Sequence, residues 1–333
     1  MTANPPVIDG FNRVPRKLRI SVTDRCNMRC VYCMPQKQFS WCPRNEILSY
    51  EEIARLTKIL VGLGVEKIRL TGGEPLVRPQ VEKLVSALSG IEGIKKVGMT
   101  TNGLLLGSKV EQLKAAGLES VNVSLDSLKP SRFKSITGVN GLSQVKKSLK
   151  AARDAGFEIK INTVVIRGQN DDEIEAFARF AMVEGFTVRF IEFMPLDGSH
   201  IWDSSLVVTK AEMINKINKM GLELLPLNNN VSDPARLYTF KSGKGTIGFI
   251  PSMSESFCRS CDRVRLTSDG KFLTCLFEQP THDVKKLLRS GSTDKAIERY
   301  LLDCYKKKPE GVVGIIRGRN LISGLNLMNT IGG

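Results

Sequence analysis

The chain has 333 residues, with 49 lysines and arginines against 34 aspartates and glutamates, for a formal net charge of +15. With 41% hydrophobic and 25% charged residues, the composition is globular and the length suits one large domain or two smaller ones. No apolar run reaches the roughly 18 residues that a membrane-spanning helix needs.

Residues 1–10 have no basic start, no apolar core and no Arg/Ser-rich amphipathic character, so the expected location is cytoplasmic, with no membrane partner. The positive charge suits nucleic acid or a small polyanion such as a nucleoside triphosphate. Only 6% of the residues are aromatic, and neither an RNA-recognition run nor a helix-turn-helix pattern is present, which disfavours nucleic acid.

In chain order, short apolar runs predict strands at residues 18–23, 67–71, 96–101, 120–125, 158–165 and 188–194. Between them, helical spacing predicts helices over 50–63, 80–88, 107–116, 141–155 and 171–183, as with Ile53, Leu56, Ile59 and Leu60. Alternating strands and helices imply parallel strands with right-handed crossovers. The fold class read from this is α/β, a partial (β/α)6 TIM-like barrel, with a doubly wound open sheet as the alternative. In a barrel of this kind, functional residues gather at the C-terminal strand ends. Those ends run into polar segments: the cysteine loop, Thr71-Gly72-Gly73-Glu74-Pro75, Thr100-Thr101-Asn102-Gly103, Ser124-Leu125-Asp126-Ser127 and Glu192-Phe193-Met194-Pro195. Residues 228–233 read as a linker or surface loop. Glycine-rich β-like segments follow, then a lysine-rich helical stretch at 283–308 and a tail whose composition reads as too flexible for core.

Cys26, Cys30 and Cys33 are spaced C-x3-C-x2-C after the first strand. Three thiolates can hold three irons of a [4Fe–4S] cluster and leave the fourth open to a small molecule. A zinc site usually has four protein ligands, and the chain's two histidines, His200 and His282, are remote in sequence. A second set, Cys258, Cys261 and Cys275, is spaced C-x2-C-x13-C and fits either a second cluster or a three-cysteine zinc site completed by His282, Cys304 or Asp262. Cys42 and Cys304 have no sequence partners and read as small buried hydrophobes. Arg263 and Arg265 alternate, so a strand would place both on one face, where they can clamp phosphate or carboxylate. By the same alternation Arg69 shares a face with Thr71, and Lys160 with Asn162. A cation pointing into a barrel needs an anion there.

The cysteine loop after the first strand and Gly-Gly-Glu-Pro after the second resemble the radical S-adenosylmethionine superfamily. The run Ser21-Val22-Thr23-Asp24-Arg25-Cys26, the Thr-Thr-Asn-Gly and Val-Ser-Leu-Asp-Ser segments, Phe190-Ile191-Glu192-Phe193-Met194-Pro195 and Cys261-Asp262-Arg263-Val264-Arg265-Leu266-Thr267 narrow the resemblance to the GTP 3′,8-cyclase family, over residues 11–333. Trp41-Cys42-Pro43 departs from the pattern without touching a matched motif.

The resemblance implies a radical S-adenosylmethionine barrel over 11–227 and a C-terminal region over 228–333 that binds a second cluster and substrate and ends in a Gly-Gly tail. It implies two [4Fe–4S] clusters, on Cys26, Cys30 and Cys33 and on Cys258, Cys261 and Cys275. Tyr32, Gly73, Ser124 and Met194 would contact S-adenosylmethionine. Arg19, Arg69, Thr100, Lys160, Arg263, Val264 and Arg265 would contact GTP, with Arg189 a further candidate. Gly332 and Gly333 would reach into the active site and join Arg263 and Arg265 in catalysis.

The implied reaction is hydrogen abstraction from C3′ of GTP, attack on C8 and reduction to (8S)-3′,8-cyclo-7,8-dihydroguanosine 5′-triphosphate, the first step of molybdenum cofactor biosynthesis. A homodimer and hand-over of product to cyclic pyranopterin monophosphate synthase are implied too. The alternatives are a two-cluster radical enzyme that modifies a peptide and a zinc-bearing RNA-binding protein.

Overall fold

A computed structural model describes residues 7–34, 41–196, 201–228, 230–241, 243–311 and 328–332. Six strands lie side by side in chain order and pair in parallel: β1 (Lys17–Ser21), β2 (Lys67–Thr71), β3 (Lys96–Thr101), β4 (Ser120–Ser124), β5 (Glu158–Val165) and β6 (Thr187–Glu192). The crossovers carry α1 (Tyr50–Gly62), α2 (Val81–Ser89), α3 (Val110–Ala115), α4 (Pro130–Thr137), α5 (Leu142–Asp154) and α6 (Ile174–Glu184). Local chemistry starts and stops them. Ser49 and Glu52 form a reciprocal capping box at the start of α1, and Gly138, at φ 77°, closes α4 in the left-handed conformation that glycine tolerates best.

The sheet continues past both ends of the six-strand array. β9 (Thr246–Ile250) joins β6 in parallel, and β10 (Arg263–Leu266) joins β1 in parallel. β8 (Arg236–Phe240) and β7 (Leu224–Pro226) then extend one side antiparallel, as β11 (Lys271–Leu273) and β12 (His282–Asp283) extend the other. The order is linear and its two ends do not pair among the described residues, so the barrel is open, as expected.

Strand alternation sorts the side chains into two layers. Leu18, Ile20, Ile68, Leu70, Val121 and Phe190 are buried in the core between sheet and helices. Each contributes about 1.5–3 kcal/mol by leaving water. Their neighbours in sequence, Arg19, Arg69, Asn122 and Arg189, line the lumen instead.

One expectation is sharpened and one is corrected. After α7 (Lys210–Asn218), the lysine-rich stretch forms two helices, α8 (Val284–Arg289) and α9 (Asp294–Lys306), because Thr293 caps a new helix through the Ala296 amide. The tail is not loose surface. A helical turn at Met328–Ile331 leads to Gly332, and both Ile331 and Gly332 are buried. Ile331 supplies the apolar anchor that glycine-rich composition had hidden.

Candidate active site

The first cysteine loop rests on the end of β2. Gly73 and Glu74 donate their amides to Thr23 O and Arg25 O, both at 2.8 Å. A Cβ on Gly72 would lie 2.3 Å from Thr23 O, and one on Gly73 would lie 2.3 Å from Arg25 O. The two glycines therefore let the cysteine loop itself come close, which a side chain would prevent. Glu74 is buried and accepts from Leu76 N, Thr101 Oγ1 and Asn102 N at 3.0, 2.8 and 2.6 Å. Burial pushes its carboxyl up to about 7, against those three donors. It ties the ends of β2 and β3 together beneath the loop.

Asn102 donates to Asn27 Oδ1 at 2.7 Å and lies 3.7 Å from Cys26 Sγ, which the Met28 amide also approaches at 3.4 Å. Donors aimed at a sulfur suit a thiolate ligand. Burial pushes the thiols of Cys26 and Cys30 up, so an apo loop is protonated until a metal displaces the protons.

Tyr32 donates to Asp126 Oδ2 at 2.5 Å, and its ring stands edge-on to Phe193, with centroids 6.4 Å apart. Tyr32 and Met194 line one small cavity with Glu192, Phe193 and Met328, above the C-terminal end of β6. Ser124 ends β4, in register with Asn162. The residues expected to contact S-adenosylmethionine thus lie at the C-terminal strand ends with the cysteine loop. Glu192 organises this rim by accepting from the amides of Lys210, Met253 and Ser254, each at 2.8 Å.

Below them a cavity of about 310 Å³ is lined by Arg19, Arg69, Lys160, Arg189 and Arg263. Glycines open space for two of these guanidiniums. A Cβ on Gly98 would lie 2.5 Å from Arg69 Nη1, and one on Gly248 would lie 2.9 Å from Arg189 Cγ. Burial, then Arg265, Arg263 and the other nearby arginines, hold Arg19 well below its usual pKa, and it has no hydrogen-bond partner among the described residues. Burial brings Arg69 to about 10, burial and Arg69 bring Arg189 to about 9, and burial and Arg263 bring Arg265 to about 10. Lys160 pairs with Glu158 at 2.5 Å. Thr100 Oγ1, Ser120 Oγ and Asn122 Oδ1 are buried without hydrogen bonds among the described residues. Clustered cations with so few counter-charges, beside unsatisfied polar atoms, fit a polyanionic ligand.

Arg265 is buried and donates to Ile331 O at 3.4 Å and to Gly332 O, and a Cβ on Gly332 would meet Thr71 Cγ2 at 2.4 Å. One arginine thus binds the tail into the lumen. Val264 points the other way, into the core, so a ligand could reach only its main chain. Gly333 and His200 lie outside the described residues.

The second cysteine set sits at the opposite end of the lumen. Cys258 and Cys261 lead into β10, and Cys275 follows β11. Lys17, at the start of β1, donates its amide to Asp262 O at 3.0 Å, whereas the first cysteine loop follows the other end of β1. Five residues of strand separate the two ends by roughly 16 Å at ~3.3 Å per residue. Arg263 Nη2 lies 3.4 Å from Cys261 Sγ, and Lys308 Nζ lies 3.9 Å from it. Although burial opposes it, those two cations bring the Cys261 thiol down to about 6. None of the eight cysteines forms a disulfide. Among the described residues, no three His, Cys, Asp or Glu groups converge on a single metal position.

Sequence reasoning missed the Asp9–Arg13 pair behind this second set, because neither residue belongs to a motif. The loop at 228–233 also does more than link. Asp233 pairs with Lys17 at 2.8 Å, Ser260 Oγ donates to Val231 O at 2.8 Å, and Asp233 lines the cation cavity. Cys304 is buried as expected, while Cys42 is half-buried and donates its amide to Asp24 Oδ2 at 2.6 Å.

Family comparison gives a match to the radical SAM superfamily over residues 20–181 and to Molybdenum Cofactor Synthesis C over 186–313. A curated relative from Thermodesulfovibrio yellowstonii, "GTP 3′,8-cyclase", is 44% identical across 98% of this chain and 99% of its own length. The Arabidopsis thaliana "GTP 3′,8-cyclase, mitochondrial" is 40% identical across 93% of this chain and 80% of its own. Among solved structures, Streptococcus suis SuiB bound to precursor peptide SuiA is similar at a TM-score of 0.61 and 18% identity, covering 93% of this chain and 68% of SuiB. That likeness concerns the fold. No described helix is long and apolar enough to cross a membrane. The chain belongs to the radical S-adenosylmethionine superfamily, whose members use a [4Fe–4S] cluster with S-adenosylmethionine, and within it to the GTP 3′,8-cyclase family.

Proposed function

We propose that this chain converts GTP to (8S)-3′,8-cyclo-7,8-dihydroguanosine 5′-triphosphate, with a cluster and S-adenosylmethionine at one end of the lumen and a second [4Fe–4S] cluster at the other. The observation that carries this reading is the cation-lined cavity between two three-cysteine sets. When bound, the cofactor pair at Cys26, Cys30 and Cys33 supplies one-electron cleavage and a hydrogen-abstracting radical. The remaining work falls to the chain's own residues.

Arg19, Arg69, Lys160, Arg189 and Arg263 would hold the triphosphate, the unpartnered Thr100 hydroxyl could donate to it, and the unpartnered Asn122 Oδ1 could accept from the nucleoside's hydroxyl or amine groups. Held there, the nucleotide is fixed between the radical source and the second cysteine set, so positioning decides which carbon reacts. Arg265 fixes the Gly332 carbonyl at the lumen wall and joins the tail to the same site. Substrate filling the lumen would displace its water, which protects a radical from side reactions. The peptide-modifying alternative shares the fold of SuiB, but a peptide spreads its carboxylates along the chain, whereas a triphosphate concentrates its charge to match this cation cluster.

The same reading includes a homodimer, a cytoplasmic location and transfer of product to cyclic pyranopterin monophosphate synthase. Anaerobic incubation with S-adenosylmethionine and a reductant, with and without GTP, tests it. GTP-dependent formation of 5′-deoxyadenosine is expected. The same yield without GTP, or with a peptide in its place, would refute the substrate.

A further inference from the structure

Lys308 lies outside the cation cavity, beside the second cysteine set. It is 3% exposed and follows the C-terminal end of α9. Its ammonium donates to Arg263 O at 2.6 Å and lies 3.9 Å from Cys261 Sγ. No carboxylate is within ion-pair reach of it among the described residues. The side chains that influence it most are Cys261, Cys275, Arg13 and Arg263, of which two are cations and the two able to carry negative charge are thiols. A buried ammonium without an anion is costly, and the pattern points to an anionic group on the cysteines.

A second device holds the lysine in place. Arg13 and Asp9 are each 5% exposed, and Arg13 Nε donates to Asp9 Oδ2 at 2.6 Å. The remaining edges of the Arg13 guanidinium donate to Cys258 O at 2.9 Å, Glu310 O at 3.0 Å and Pro309 O at 2.7 Å. Tyr305 closes the clamp by donating to Arg13 O at 2.9 Å. One guanidinium thus joins the carbonyl of a cysteine ligand to the two residues after Lys308. Such a network fixes the distance between the lysine and the thiolates and is far more than the helix C-terminus needs for its own satisfaction.

We propose that Lys308, held by the Asp9–Arg13 clamp, is the charge partner of the second cysteine set: a positioning residue whose fixed positive charge compensates the iron–thiolate group and favours its reduced form. The inference rests on the second-cluster reading above. Three thiolates around a [4Fe–4S] cube carry a net charge of about −1 when oxidised and about −2 when reduced. A buried cation therefore stabilises the reduced form more, and its removal should move the midpoint potential to more negative values.

The test uses the full chain with Cys26, Cys30 and Cys33 replaced by alanine, reconstituted anaerobically so that only the second set can hold iron. About four irons per chain and, after one-electron reduction, a cluster signal by electron paramagnetic resonance are expected in this parent. In that background Lys308→Met should shift the midpoint potential negative, Lys308→Arg should restore it, and Arg13→Gln should shift it in the same direction as Lys308→Met. If the parent holds zinc or no metal, the second-cluster reading fails and the inference falls with it. If the parent holds four irons and Lys308→Met has the parent's potential, the inference alone is overturned. If Lys308→Met cannot load iron, loading of Lys308→Arg upholds the charge requirement. Failure of both variants to load, with lowered melting temperatures, would assign Lys308 to packing and overturn the proposal.

Discussion

Replacing Arg69 by methionine should stabilise the protein without substrate and weaken its hold on GTP. Arg69 lies in the lumen with its guanidinium in the space left by Gly98. Burial lowers its pKa from 12.5 to about 10. At about 1.4 kcal/mol per unit, that is about 3 kcal/mol of cost to the folded state. The sign follows from its being a base with a depressed folded pKa. It is charged in both folded and unfolded chains at every pH below about 10, so a melt at neutral pH carries the whole penalty. Water at the open lumen screens part of this. Methionine also loses the hydrogen bonds to Met99 O at 3.1 Å and Ser120 O at 3.5 Å, at about 1 kcal/mol. The net expectation is a gain of about 1 kcal/mol, a few degrees in Tm.

With GTP the sign reverses. Loss of one charge-assisted contact costs about 1.5–3 kcal/mol, or roughly 10- to 100-fold in Kd. Anaerobic thermal melts of the reconstituted protein, with and without GTP, read both effects in one experiment. A lower Tm without GTP, together with an undiminished shift on adding GTP, would refute the reasoning, because Arg69 would then be a structural residue.

Other changes probe other contacts. Gly73→Ala puts a Cβ 2.3 Å from Arg25 O, so the cysteine loop must move; iron bound at Cys26, Cys30 and Cys33 should fall by more than half while the second set keeps its iron, as separate-set iron assays would show. Arg265→Ala should weaken GTP binding at least tenfold and expose the tail to limited proteolysis, with iron content unchanged, because it removes both a lumen cation and the donor to Ile331 O and Gly332 O. Deleting Gly332 and Gly333 should abolish product and spare iron content; full activity would remove the tail from the site. Gly98→Ala should mimic Arg69→Met in GTP affinity, since the new methyl group occupies the guanidinium's place.

The six-strand array was legible because each strand ends in a polar or glycine-rich segment and each helix shows helical spacing. The strands at 67–71, 96–101 and 158–165 fall where periodicity puts them, and the others differ by a residue or two. The short helix α4 was not anticipated, since its only strong sequence marker is Pro130 near its start. β9 and β10 were illegible as barrel-edge strands, because parallel pairing at long sequence separation leaves no local signature. The cysteines and alternating arginines were readable from spacing. Gly98, Gly248 and the Asp9–Arg13 clamp were not, because each acts through a close approach that only the folded chain creates. Gly73 is the instructive case. Its motif was visible, but the close neighbour its missing Cβ admits is the backbone of the cysteine loop.

The proposed reaction requires a triphosphate held in the lumen with its ribose toward the radical source. Deuterium tracing tests that most directly. GTP carrying deuterium at C3′, turned over anaerobically with S-adenosylmethionine and a reductant, should deliver one deuterium to 5′-deoxyadenosine. 5′-Deoxyadenosine free of deuterium, formed at an unchanged rate, would contradict it.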